Sequence, residues 1–170
     1  MCCFCVPVIP PEVSWPKPCW LRRDLGKLWA YSAGSFPKGR VHPVALEVLR
    51  KHNFKTDAFR SKSRDEFDDL DAPQLDFVFT VCDKAASETC PVWPGQPMTA
   101  HWGIVDPVRE YKDAEEKYRG FYRAYQELEA RIKLFTSLPI AGLDRLSLQK
   151  RLDEIGRIQT DEKTGKTVNQ

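Results

Sequence analysis

Apolar residues recur at helical spacing through the longest patterned stretch of the chain. Ala114, Tyr118, Phe121, Tyr125, Leu128, Ile132 and Phe135 follow one another every three or four residues. That period lays side chains along one face of a helix. A helix is therefore predicted over residues 113–137, ended by Leu138-Pro139. A second is predicted over about residues 143–158, with Leu148, Leu152 and Ile155 on one face. A third starts where His42, or the residue before it, caps a turn with Pro43 in the first helical position. Ala45, Leu46, Val48 and Leu49 form its apolar face, and Asn53 ends it. Stripes of this kind are core-facing surfaces before they are anything else.

Other apolar runs are short and rich in β-branched and aromatic residues, the mark of strands. Residues 77–81 read as a buried strand ending in a polar turn. Residues 102–105 read as a second, ending in Asp106-Pro107, and residues 28–32 as a third, followed by a turn at Gly34. Residues 21–26 read as the end of a helix stopped by Gly26. Residues 60–71 are polar and acidic and read as loop or short helix, and residues 160–170 as a disordered polar tail. Strands alternating with helices indicate an α/β fold, whose ligands bind beyond the carboxyl ends of the strands. Cys82 stands at such an end, Cys90 follows eight residues later, and Asp106 closes another run.

The first 20 residues follow no such pattern. They hold five prolines and four cysteines. A strand fits residues 1–9 up to Pro7, and proline spacing excludes helix from Pro7 to Pro18. Cys2, Cys3, Cys5 and Cys19 lack the paired spacing of a closed zinc site.

Composition adds bounds. A chain of 170 residues, 42% hydrophobic and 29% charged, is one globular domain. A net charge of +2 argues for neither nucleic acid nor membrane as a partner. No apolar run approaches the ~20 residues that span a bilayer, and the N-terminus lacks the basic start of a signal peptide. Six cysteines in this length do not form a disulfide scaffold, so a reducing cytoplasm is expected.

Three motifs stand out: Phe79-Thr80-Val81-Cys82-Asp83, Cys90-Pro91-Val92-Trp93-Pro94, and His101-Trp102-Gly103 with Asp106-Pro107. They resemble the arsenate reductases built on the low-molecular-weight tyrosine phosphatase fold. Tyr31-Ser32-Ala33-Gly34-Ser35 and Arg60-Ser61-Lys62-Ser63 are also similar to that family. The resemblance spans roughly residues 21–157 and fails at residues 1–20, where the family keeps its catalytic loop. It implies a flavodoxin-like three-layer α/β sandwich with a four-stranded parallel sheet. The matching divisions are an aberrant N-terminus at 1–20, the reductase domain at 21–138, a C-terminal helix at 139–159 and a tail at 160–170.

The resemblance further implies reduction of arsenate to arsenite, a detoxifying reaction. A loop thiolate attacks the oxyanion, held by backbone N–H groups and a forked Arg. Cys82 and Cys90 then relay the disulfide to an external thioredoxin, or to glutaredoxin with glutathione, with no tightly bound cofactor and no metal. Asp106 protonates the leaving oxygen. Arsenate or phosphate is the expected oxyanion. Cys5 stands at the nucleophile's position, but Pro11 replaces the Arg, and Pro7, Pro10 and Pro11 offer no N–H. The chain as written is therefore expected to be impaired. On spacing alone, Cys82 and Cys90 read as buried structural cysteines; the flanking motif turns the reading to the relay. Asp106 has the alternative of a plain Asp-Pro turn, and His101 that of a hydrogen-bonded structural histidine. Arg60, Ser61, Lys62 and Ser63 either line the oxyanion's approach or form a solvated surface. The rival functions are a phosphatase, which needs no second thiol, and a non-catalytic remnant.

The genetic code accounts for the odd N-terminus. Joining the third base of each codon to the first two of the next gives Val from Met1-Cys2. Permitted codons then continue through Cys-Thr-Gly-Asn-Ser-Ala-Arg-Ser to Trp20 without a break. Residues 1–20 thus read as a frameshifted translation of the family's phosphate loop.

Overall fold

The computed structural model of the chain describes residues 3–6, 30–34, 39–57, 59–67, 72–81, 95–160 and 167–168. The helices follow the hydrophobic pattern. Helix α1 spans Pro43–Lys51, and the Nδ1 of its N-cap His42 accepts from the Val44 N–H at 3.2 Å. Helix α2 spans Ala114–Thr136. Its N-cap Asp113 accepts from the Glu116 N–H at 2.7 Å, while Glu116 reaches back to the Lys112 N–H at 3.0 Å, a reciprocal cap. After Pro139 and a 3-10 turn at Ile140–Gly142, helix α3 spans Arg145–Gly156 behind an Asp144 N-cap. It buries Leu148, Leu152 and Ile155 as the pattern predicts. A 3-10 turn at Arg64–Phe67 lies in the polar stretch after residue 60.

Four strands form one sheet in the order β2-β1-β3-β4, from β1 at Cys3–Val6, β2 at Tyr31–Ala33, β3 at Phe77–Thr80 and β4 at Met98–His101. The expectation of four parallel strands is corrected. Among the described residues, only β3 and β4 pair as parallel strands, and β1 runs antiparallel to both of its neighbours. A parallel neighbour needs a crossover of a dozen residues or more, usually a helix, and the proline spacing of the sequence from Pro7 to Pro18 disfavours a helix directly after β1. Reversal of β1 leaves β2, β3 and β4 pointing one way.

Two strand boundaries also differ. The expected strand at 102–105 lies earlier, as β4. Met98 and Ala100 point inward at 8% and 7% exposure, and Thr99 and His101 point outward. That alternation belongs to a half-buried edge strand, and a search for continuous apolar runs passes over it. The strand expected at 28–32 appears as β2, with residues 28 and 29 outside the described residues. So are residues 21–26. Within the expected polar tail, β5 at Gln159–Thr160 pairs antiparallel with β6 at Thr167–Val168.

The main core lies between the sheet and the last two helices. Phe77, Phe79 and Val81 from β3 and its end meet Trp102, Phe135, Leu152 and Ile155. Phe79 stacks on Trp102 at 3.9 Å between ring centroids, and both rings meet Phe135 edge-on. On the opposite face Val78 packs with Tyr31, Ala33, Phe67 and Leu75. A third cluster joins α1 to α2 through Val48, Leu49, Phe121 and Tyr125. The outer edge of β4 is covered: Gln149 of α3 donates from Nε2 to the Thr99 carbonyl at 2.8 Å, which guards it against pairing with another chain.

Candidate functional site at the carboxyl end of the sheet

Three strands, β2, β3 and β4, deliver their carboxyl ends to one edge, and several of the described motif residues lie there. At the end of β2, the Gly34 N–H donates to the Lys62 carbonyl at 3.0 Å, and the Arg64 N–H donates to the Gly34 carbonyl at 3.2 Å. Residues 62–64 are thereby tied beside Gly34. The Lys62 ammonium lies 5.4 Å from the Tyr31 ring and 5.3 Å from the Phe67 ring, within cation–π range. Arg60 forks onto Glu66 at 2.8 and 2.5 Å and holds that carboxyl below its ordinary range. Ser63 donates to Asp65 at 2.8 Å. Arg60 thus faces a carboxylate, whereas Lys62 and Ser63 stand at the strand end.

At the ends of β3 and β4, Thr80 and His101 are register partners, and Thr80 Oγ1 lies 2.9 Å from His101 Nδ1. His101 is therefore hydrogen-bonded, as the structural reading of it requires. The ladder continues past the strands: the Trp102 N–H donates to the Thr80 carbonyl at 2.7 Å and the Ile104 N–H to the Val81 carbonyl at 3.0 Å. Asp106 follows on an exposed loop. Its Oδ1 accepts from the Val108 N–H at 2.8 Å, which closes a tight turn around Pro107. Val105 and Val108 on either side of it are 62% and 51% exposed.

Cys82 and Cys90 lie outside the described residues. The carbonyl of Val81, the residue before Cys82, accepts from the Ile104 N–H, so the last described residue on that strand lies beside the start of the loop that carries Asp106. Cys5 goes elsewhere. It sits opposite Val78 on one side and Tyr31 on the other, while Cys3 is the residue opposite Thr80. Reversal of β1 turns its carboxyl end away from the shared edge.

The motif reading does not reach two residues. Thr80 ends β3 and fixes His101. Arg131 of α2, 2% exposed, donates to the carbonyls of Trp102, Gly103 and Ile158. Burial pushes its pKa down against the opposing pull of Glu127, and burial pushes Glu127 up. A signal for Arg131 does exist in the sequence. It falls four residues before Phe135 and three after Leu128, in the middle of the apolar stripe, and a charge at a core position needs a dedicated set of partners. Among the described residues, no three His, Cys, Asp or Glu side chains gather as metal ligands would, and no helix is long and apolar enough to cross a membrane.

Residues 20–149 match the family model described as low molecular weight phosphotyrosine protein phosphatase. Relatives include an arsenate reductase of Bacillus licheniformis, 32% identical over 117 residues, which cover 68% of this chain and 81% of that protein. An arsenate reductase of Bacillus subtilis (strain 168) matches with the same identity and coverage. Arsenate reductase 2 of Staphylococcus saprophyticus is 34% identical over the same length and shares.

Proposed function

The chain belongs to the low molecular weight phosphotyrosine protein phosphatase family, and from that premise we propose that it is an arsenate reductase-like protein working through a cysteine relay. One observation carries the reading: the β3–β4 ladder runs on to Ile104 and Val81, so the residue before Cys82 lies beside the start of the Asp106 loop. The names of the relatives supply the oxyanion. The family premise supports the flavodoxin-like three-layer sandwich, with the domain at 21–138, the C-terminal helix at 139–159 and residues 1–20 in place of the anion loop.

The chemistry needs three thiols and one acid. A loop thiolate displaces one arsenate oxygen, which leaves as water with a proton from Asp106. Cys82 attacks that sulfur. The S–As electron pair stays on arsenic, which departs as arsenite, and a disulfide remains. Cys90 then attacks Cys82, frees the loop thiol and leaves a Cys82–Cys90 disulfide. A thioredoxin-like dithiol in the cytoplasm supplies the two electrons that reopen it. The chain as written keeps Cys82, Cys90 and Asp106 but has Pro11 where the anion's Arg belongs. Its turnover is impaired for that reason.

The test couples arsenate reduction to NADPH oxidation through thioredoxin and its reductase. It is run on the full chain and on a version whose residues 1–20 are replaced by the shifted-frame sequence. The replaced version turns over arsenate, Cys82→Ser or Cys90→Ser each returns it to background, and the chain as written stays at background. A replaced version that hydrolyses an aryl phosphate but leaves arsenate untouched is a phosphatase, and the reductase reading fails. Equal turnover by the chain as written overturns the account of the lost loop.

A further inference from the structure

Arg131 is the one charged residue among the fully buried positions of the described core. Its Nη1 donates to the Trp102 carbonyl at 2.7 Å and the Gly103 carbonyl at 3.0 Å, and its Nη2 to the Ile158 carbonyl at 3.1 Å. Glu127 stands farther off, at 3.8 Å. Backbone carbonyls therefore hold this cation more closely than its counter-ion does. Two of those carbonyls belong to the residues where β4 ends and the Asp106 loop begins. The third follows α3.

The same junction is gripped from the other side. The Trp102 indole Nε1 donates to the Leu152 carbonyl at 3.1 Å. Gly156 approaches so closely that a side chain there would run into the His101 carbonyl and the Trp102 ring. Beyond the loop, the Tyr111 ring lies where a side chain on Gly120 would stand, and Asp113 caps α2. The loop is pinned at both ends and exposed in between.

We propose that Arg131 is a positioning residue for the loop that carries Asp106, and that the end of α3 completes its seat. Residues 150–158 lie past the family match, which ends at residue 149, and this gives them a role at the reacting end of the sheet. The consequence for catalysis rests on the reading of Asp106 as the acid. The geometry of the seat does not. A planar guanidinium can fork onto several carbonyls at once, and an ammonium on a flexible stem cannot hold the same set.

Hydrogen exchange on the full chain tests the seat. In Arg131→Lys, amides of residues 103–110 exchange roughly tenfold faster while those of β3 and α1 keep their rates, the sign of local opening rather than global loss. Gly156→Ala keeps every Arg131 donor, presses on the His101 carbonyl and speeds the same amides. An unchanged loop in both variants overturns the proposal, and so does an equal acceleration across β3 and α1. In the version with residues 1–20 replaced, Arg131→Lys lowers kcat with KM unmoved. Asp106→Asn then adds less than its separate effect, because both act on one step. Fully additive losses overturn the link to catalysis. If Asp106→Asn alone leaves the rate intact, the acid assignment fails instead, and exchange still decides the seat.

Discussion

Replacing Trp102 with Phe should loosen the junction between β4 and α3, and its cost can be worked from the packing around the ring. Trp102 is 1% exposed, stacks on Phe79 and donates to the Leu152 carbonyl at 3.1 Å. Phe keeps one ring and the stacking. It gives up the indole N–H, and the missing hydrogen bond costs about 1 kcal/mol. The vacated space, roughly 40 Å3, costs about 1 kcal/mol at the usual penalty per unit of cavity volume. The smaller apolar area that Phe buries adds about 1 kcal/mol. A total near 3 kcal/mol is a large share of the ~5–15 kcal/mol that holds a domain together. With a urea slope of about 1–3 kcal/mol per M, the midpoint should fall by roughly 1–3 M. Urea titration followed by far-ultraviolet circular dichroism reads that shift. A fall of less than about 0.3 M at an unchanged slope would mean that Trp102 does not lock α3 to the sheet.

Two further outcomes are expected. Burial pushes Glu129 up, but hydrogen bonds from Lys133 and Tyr125 outweigh it and hold the carboxyl below its ordinary value of 4.5. A depressed carboxyl contributes stability above its unfolded pKa and loses it as pH falls through the folded value, so Glu129→Gln should flatten the acid side of the stability profile below about pH 4.5. Identical midpoints for both proteins from pH 5 down to pH 3 would refute this. The DNA encoding residues 1–20 should read through the phosphate loop in the shifted frame, and a stop codon there would end the frameshift account.

The helices were legible because their apolar faces repeat at helical spacing and their ends carry side chains that serve as caps. His42, Asp113, Leu148, Leu152 and Ile155 all stand where the pattern puts them. Strand β4 was less legible. Its outward residues, Thr99 and His101, are polar because that side faces away from the core, and the apolar run just after it was the stronger signal. The direction of β1 was not legible at all. Four residues can pair either way, and their pattern does not record the direction. Arg131 was hidden because apolar patterning counts a charge as surface, although its place in the stripe marked it as buried.

The direction of β1 bears on function independently of the missing Arg. The relay requires the nucleophile's sulfur to meet that of Cys82, and a disulfide forms only when the two Cα atoms come within about 4.4–6.8 Å. In the observed register Cys5 lies beside Val78. From Val78 to Val81 is about 10 Å along the strand at ~3.3 Å per residue, and Cys82 is one residue farther on. A parallel β1 would bring its carboxyl end, and the loop that follows, to the edge that Val81, Ile104 and the Asp106 loop share. The antiparallel β1 instead ends at Val6, opposite Phe77 at the other end of β3. Substituting an Arg at position 11 alone therefore restores nothing. Recovery needs the sequence that lets a helix follow the strand, because that helix makes the crossover, the crossover makes the strand parallel, and the parallel strand carries the thiol to its partner.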